Sequence, residues 1–162
     1  MANVYRVGDD IDTDVFLPGR YLNITDPKEL ALHCMEALDT DYNKKIKPGD
    51  IMVGGRNFGC GSSRENAVIA IKASGISVVI AESFARIFFR NSINIGLPLL
   101  ECKEAANAIG NGDEVVVDLA QGVIINKTKN LSFKTTPQPQ FIQDLCAAGG
   151  LLPYIKSTLN GK

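Results

Sequence analysis

The sequence predicts an α/β domain built on a parallel core sheet with helices, plus a small antiparallel β annex. Three observations predict it. The run "ISVVIAES", residues 76–83, is continuously apolar and β-branched, the pattern of a strand buried on both faces. Around it the segments alternate strand, helix, strand, helix, strand, the βαβ order of a parallel sheet. Beyond "KEAANAIGNGD" the texture changes to short alternating strands parted by Gly and Asn turns, which reads as an antiparallel meander. A chain of 162 residues with no repeat, linker or low-complexity tract is expected to be one domain spanning 1–162.

Taken in order, "VYRV" is a short extended segment that runs into the acidic turn "GDDIDTD". The helix "TDPKELALHCMEAL" opens with Asp26 as N-cap, Pro27 at the first helical position and Glu29 completing a capping box. Leu30, Cys34 and Leu38 recur there at a helical period, leaving Lys28 and Glu36 on the wet side. His33 reads as a surface or half-buried side chain of this helix, not as a base. "KPGDIMVGG" is a turn and a short strand, and "ENAVIAIKASG" a helix stopped by Gly75. Ser83 reads as the cap of a helix in "FARIFFRNS", followed by the buried strand "GLPLLE". "DEVVVDLAQGVIINKTKNLSFKT" supplies the meander. The helix in "PQPQFIQDLCAAGG" closes at Gly149-Gly150, and the tail "KSTLNGK" is expected to fray.

Charge and cysteine usage narrow the function. Seventeen Lys and Arg against 18 Asp and Glu give a net charge of −1 without a basic patch, which argues against nucleic acid as a partner. The longest apolar runs fall far short of a membrane span, and the polar, acidic N-terminus does not read as a leader. A cytoplasmic protein is expected. Cys34, Cys60, Cys102 and Cys146 lack any C-x-x-C spacing, and with the single His33 they make neither a zinc site nor a cluster-binding run. They read as free thiols of a reducing compartment, and no metal is expected on this chain. A Cys60 thiolate would gain from a nearby helix start and from Arg64, but no histidine stands near it as a base, so a nucleophilic role is disfavoured. Asp9, Asp10, Asp12 and Asp14 lack the glycine and distal glutamate of a calcium loop. Arg86 and Arg90, four apart on one helix, either line a site or pair with surface carboxylates; pairing is the expectation.

The stretch "NFGCGSSREN", residues 57–66, carries the chemistry. One reading is structural: Ser62 and Glu65 form a capping box, worth about 1 kcal/mol. That leaves Gly59, Gly61, Ser63 and Arg64 without a task. The other reading is an anion site, in which glycines admit a ligand to the backbone, free amides meet it at a helix start, and Arg64 offers a two-pronged fork to a carboxylate. No lysine follows the glycines in the manner of a nucleotide phosphate loop, which argues against one.

"NFGCGSSREN", together with "DDIDTDVFLPGRYL" and "ASGISVVIAESFARIFFRNSINIGLPLLE", closely resembles the 3-isopropylmalate dehydratase small-subunit family, which is similar to the swivelling C-terminal domain of aconitase. The resemblance covers nearly the whole chain in family order. It implies a β/β/α swivelling domain that completes the active site of a large subunit carrying a [4Fe-4S] cluster, as a heterodimer or heterotetramer inactive without its partner. The implied reaction isomerises an alkyl-substituted malate by dehydration and rehydration, 2-isopropylmalate to 3-isopropylmalate in leucine biosynthesis. A 2,3-dimethylmalate dehydratase or homoaconitase subunit is the near alternative, and a non-catalytic carboxylate-binding regulatory domain the distant one. By the same resemblance Ser62 is the base that removes the carbon-bound proton. Ser63 and Arg64 hold the substrate carboxylate and developing charge, and Thr13 and Asp14 approach from the other side. The loop Leu22, Asn23 and Ile24 helps choose the substrate. Homoaconitase-type subunits carry an arginine in that loop, which this chain lacks, so an apolar pocket for a branched alkyl group is implied. The family usually continues Arg-Glu-His where this chain has Asn66, which donates hydrogen bonds but does not titrate.

Overall fold

The structure is a computed structural model that describes residues 2–61 and 64–160. Its first half comprises β1 (Ala2–Arg6), α1 (Thr13–Phe16), a 3-10 turn at Gly19–Tyr21, α2 (Pro27–Leu32), α3 (Tyr42–Lys45), β2 (Ile51–Val53), α4 (Glu65–Ala73) and β3 (Val78–Ala81). The second half comprises α5 (Arg86–Ile95), β4 (Leu99–Glu101), α6 (Lys103–Ala108), β5 (Glu114–Asp118), β6 (Val123–Asn126), β7 (Leu131–Lys134), α7 (Gln140–Ala148) and α8 (Leu151–Asn160).

The strands form one seven-stranded sheet in the order β4-β3-β2-β1-β5-β6-β7. β1 to β4 are parallel, and β5 to β7 continue the sheet antiparallel from the other edge of β1. The antiparallel annex therefore extends the parallel sheet directly. Alternation along the parallel strands feeds two cores. Met52, Val79, Ala81 and Leu99 pack with Leu30, Val68, Ile71 and Phe88 of the helices. Ile51, Val53, Val78, Ile80 and Leu100 pack with Val115 and Ile124 of the annex and Ile109. Both faces of these strands are covered, which is why their sequences are continuously apolar. The strap after β7 returns to the exposed edge of β4: Thr135 Oγ1 donates to Glu101 O at 2.8 Å and Gln138 Nε2 to Leu99 O at 3.1 Å. An edge covered in this way offers few free groups to another chain.

Four local expectations are corrected. The helix opened by Asp26, whose side chain accepts from Lys28 N, ends at Leu32, well short of Leu38. Met35 adopts φ 61° and its amide donates to Phe16 O at 2.9 Å, so a tertiary backbone bond interrupts the helical period and leaves Leu38 55% exposed. Ser83 does not cap the next helix. Ala85 holds the position before α5, while Ser83 Oγ accepts from Asn57 N at 2.8 Å. The tail is helical through Asn160 in α8 where fraying was expected. Finally, α4 starts at Glu65 with Arg64 at its N-cap position, so Glu65 is too early in the helix to close a box with Ser62 as cap. No helix among the described residues is long and apolar enough to cross a membrane.

Candidate active site

The site is built where the parallel strands end. Chain segments leaving β1, β2 and β3 stay hydrogen-bonded to one another beyond the sheet. Gly55 N donates to Gly8 O (3.1 Å) and Asp10 N to Arg56 O (2.8 Å). Phe58 N then donates to Ser83 O (3.0 Å), Gly59 N to Ile11 O (2.9 Å) and Thr13 N to Cys60 O (2.9 Å). These bonds carry the loop rigidly forward and end at the starts of α1, α4 and α5. Ligands of open α/β sheets bind at this carboxyl-end position.

Below the loop lies an aromatic floor. Phe58 is packed 4.9 Å from Phe16 and 5.4 Å from Phe88, ring centre to ring centre. Gly59, at φ +82°, presses onto it so closely that a Cβ would lie 2.2 Å from Phe88 Cγ. Gly61, at φ +95°, crosses Asp12 with the same lack of room, 2.6 Å from a Cβ to Oδ2. Only glycine fits both the backbone conformation and the space.

Above the floor is a cavity of about 200 Å³ whose wall includes Thr13, Gly61, Arg64, Arg86 and Asn91. Arg64 and Arg86 each stand at the start of a helix of nine or ten residues, so two arginines and two positive helix ends border one small space. Arg64 is contacted by Asp14 Oδ1, and its side chain is only 21% exposed against 58% for Asp14. Arg86 makes no ion pair among the described residues, which corrects the expectation of a surface pair. Its signal was present in the sequence as an arginine at the first helical turn after a buried parallel strand. Arg90 also lacks an ion pair there, but it does not line the cavity.

Of the residues singled out from the sequence, Thr13 and Arg64 line the cavity and Asp14 holds Arg64 from outside it. Leu22, Asn23 and Ile24 do not line it. They are tied to the same helix start by Asn66, whose Nδ2 donates to Leu22 O at 3.0 Å and Ile24 O at 3.4 Å. Ser62 and Ser63 lie outside the described residues; in sequence they fall between Gly61 and Arg64, both of the cavity wall. The Cys60 thiol is pushed up by burial and by Asp12 and Asp10 beside it, the opposite of the activation a nucleophile needs. Asp9 and Asp10 are used in the loop itself, accepting from Arg56 N at 2.8 Å and Asn57 Nδ2 at 3.3 Å. His33 is half-buried beside Glu36, its Nδ1 2.7 Å from Oε2.

A larger apolar cavity of about 580 Å³ runs along α4 to α8. Its one cation, Lys72, is already committed to Ile95 O at 2.8 Å and Gly149 O at 3.3 Å. The 200 Å³ cavity is smaller than the roughly 300–1,000 Å³ of a complete small-ligand pocket, yet it has the converging polar groups. It has the dimensions of half a site.

Fold and cavity together define an α/β domain with two arginines at the mouth of its parallel sheet. Residues 10–105 match the aconitase C-terminal domain family. A 3-isopropylmalate dehydratase small subunit of Caldicellulosiruptor saccharolyticus is 62% identical, covering 98% of this chain and 91% of the relative. A 2,3-dimethylmalate dehydratase small subunit of Eubacterium barkeri is 60% identical over 97% of this chain and 96% of the relative. The crystal structure of 3-isopropylmalate dehydratase from Methanocaldococcus jannaschii superposes with a TM-score of 0.90 at 48% identity, covering 97% of this chain and 93% of that one. The chain belongs to the aconitase C-terminal domain family, as a dehydratase small subunit of the hydro-lyase class. Its fold is the one the sequence implied, the small-subunit naming of its relatives implies a large-subunit partner, and the non-catalytic reading is not favoured.

Proposed function

We propose that this chain completes the active site of a cytoplasmic hydro-lyase that converts 2-isopropylmalate to 3-isopropylmalate, with Ser62 as the base. The observation that carries the reading is the convergence of Arg64 and Arg86 at two helix starts on one cavity. A malate derivative has two carboxylates, and two guanidinium forks suit that need. Ser62 Oγ takes the proton from the substrate carbon. Arg64, Ser63 and the helix-start amides hold the carboxylate that gains charge as the proton leaves. Thr13, whose hydroxyl donates to Asp12 Oδ1 at 3.4 Å, stands in the same wall. Asp14 keeps Arg64 in place until the substrate carboxylate arrives.

The resemblance implies a [4Fe-4S] cluster, which would supply Lewis-acid activation of the hydroxyl. The cysteines of this chain do not fit it. Cys34 and Cys102 sit in separate cores, and no group of three His, Cys, Asp or Glu among the described residues is placed to hold a metal. The cluster is assigned to the large subunit, and closing this domain over that subunit excludes water from the half-site. Against a homoaconitase reading, Arg20 is occupied. It lies 4.7 Å above the Tyr21 ring, donates to Glu36 Oε1 at 3.2 Å and leaves the 22–24 loop without a cation.

The test is an anaerobic assay with a cluster-loaded large subunit on 2-isopropylmalate, 2,3-dimethylmalate and homocitrate. Isopropylmalate should turn over, and Ser62→Ala should lower kcat by about 10²–10⁴-fold while the complex still assembles. Preference for dimethylmalate, the substrate named for the Eubacterium barkeri relative, would move the substrate assignment and keep the mechanism. Full activity in Ser62→Ala would leave the serine without its role as base.

A further inference from the structure

The loop that follows Arg20 is held at two ends. On the core side, the Tyr21 hydroxyl donates to Glu36 Oε1 at 2.9 Å, and its ring stacks on His33 with centres 3.8 Å apart. Within the loop, Leu22 N donates to Gly19 O (3.2 Å) and Ile24 N to Tyr21 O (3.1 Å), while the carbonyls of Leu22 and Ile24 take a donor from outside the loop. Asn66 supplies one for both, at 3.0 and 3.4 Å. Ile24 packs against the helix-side core, and Leu22 and Asn23 remain exposed.

We propose that Asn66 is the positioning residue for alkyl-group selection, fixing the Leu22–Ile24 loop to the same helix turn that presents Arg64. The inference rests on the reading of that loop as the one that meets the alkyl group. Arg64 and Asn66 are two residues apart at the start of α4, so a single rigid turn sets the distance between the carboxylate fork and the loop. A primary amide suits the task because it donates and carries no charge. A carboxylate at position 66 would face two carbonyl oxygens with acceptors only. A neutral imidazole would donate one bond.

The experiment compares Asn66→Ala, Asn66→Asp and Asn66→His with Leu22→Ala, each assembled with the cluster-loaded large subunit. The readout is the ratio of kcat/KM for 2-isopropylmalate to that for 2,3-dimethylmalate, two substrates that differ in alkyl size. Asn66→Ala should move the ratio about tenfold, the scale of one methylene in an apolar pocket, with the change carried by KM rather than kcat. Asn66→Asp should move it further, and Asn66→His should fall between wild type and Asn66→Ala. Loss of stability alone lowers both substrates equally and leaves the ratio in place. A ratio unmoved in every Asn66 variant but moved in Leu22→Ala overturns the positioning role and keeps the loop reading. A ratio unmoved in Leu22→Ala overturns the loop reading and the proposal with it, whatever Asn66→Ala does.

Discussion

Gly59 decides whether the site loop can sit on its aromatic floor. A methyl group there meets the Phe88 ring at 2.2 Å and must be carried at φ +82°, so Gly59→Ala combines overpacking with a strained backbone. The two together should cost about 2–5 kcal/mol, which in a domain of this size lowers Tm by roughly 5–15 °C. Thermal unfolding checks it, and a Tm equal to wild type would mean the floor yields. The sequence made the glycines conspicuous but not their purpose, since Phe88 lies 29 positions away and only the fold brings it underneath. Cys60 shows the complementary limit. Its neighbours in sequence, a helix start and Arg64, argue for a lowered thiol pKa. Burial and the Asp12 and Asp10 charges, brought from a distant loop, raise it. The position of Arg64 was legible because a helix start is set by local geometry. Arg86 was misread as a surface pair, since only the fold shows that it makes no ion pair among the described residues and borders the cavity.

Among the elements, those governed by local chemistry were readable and those governed by a tertiary tie were not. The N-cap at Asp26 and the stop at Gly75 follow from side chains and backbone freedom within a few residues. The early end of α2 follows from the Met35 amide reaching Phe16 O, which no periodicity announces. α8 is the clearest case. Lys72 spans the carbonyl ends of two helices, Ile95 O of α5 and Gly149 O after α7, and so fixes the Gly149-Gly150 bend from which α8 departs. A cation at two helix C-termini is well placed. Burial nevertheless lowers the Lys72 pKa, so removing the ammonium also relieves a desolvation cost. Lys72→Met should therefore change Tm by less than about 3 °C while speeding amide exchange in α8 about fivefold, a local loss near 1 kcal/mol. Exchange measured residue by residue separates this from global loosening. Unchanged α8 protection would show that packing alone holds the helix.

At the scale of the whole molecule, the parallel half was legible because burial on both faces leaves continuous apolar runs. The junction of the halves was not. β1 reads only as a short extended segment, yet it pairs with β2 on one side and β5 on the other. The β1–β5 pairing is brief, Ala2↔Val115 and Asn3↔Glu114, and is extended by Val4 N to Asp113 O at 2.9 Å and Gly112 N to Val4 O at 2.8 Å. Asp113 stands at this joint with its carboxylate buried. Oδ2 accepts from Gly110 N and Asn126 Nδ2, both at 2.8 Å, and meets Lys129 Nζ at 3.3 Å. The Gly110 amide, then Asn126 and Lys129, hold its pKa below the ordinary value of 3.8. A carboxyl whose folded pKa is depressed stabilises the fold fully above its unfolded value and loses that contribution as pH falls through the folded one. The window here opens near pH 4 and extends downward. Asp113→Asn should therefore be less stable than wild type at pH 7, and its Tm should fall less steeply between pH 4 and 2. Glu36 and Asp39, held low by His33 and Lys45 respectively, titrate in the same region and keep the variant from becoming wholly flat. Parallel Tm curves for the two proteins across that window would mean that the joint is held by its backbone bonds alone. Convergence of the curves at low pH would place part of the bond between the two halves of the sheet in one carboxylate.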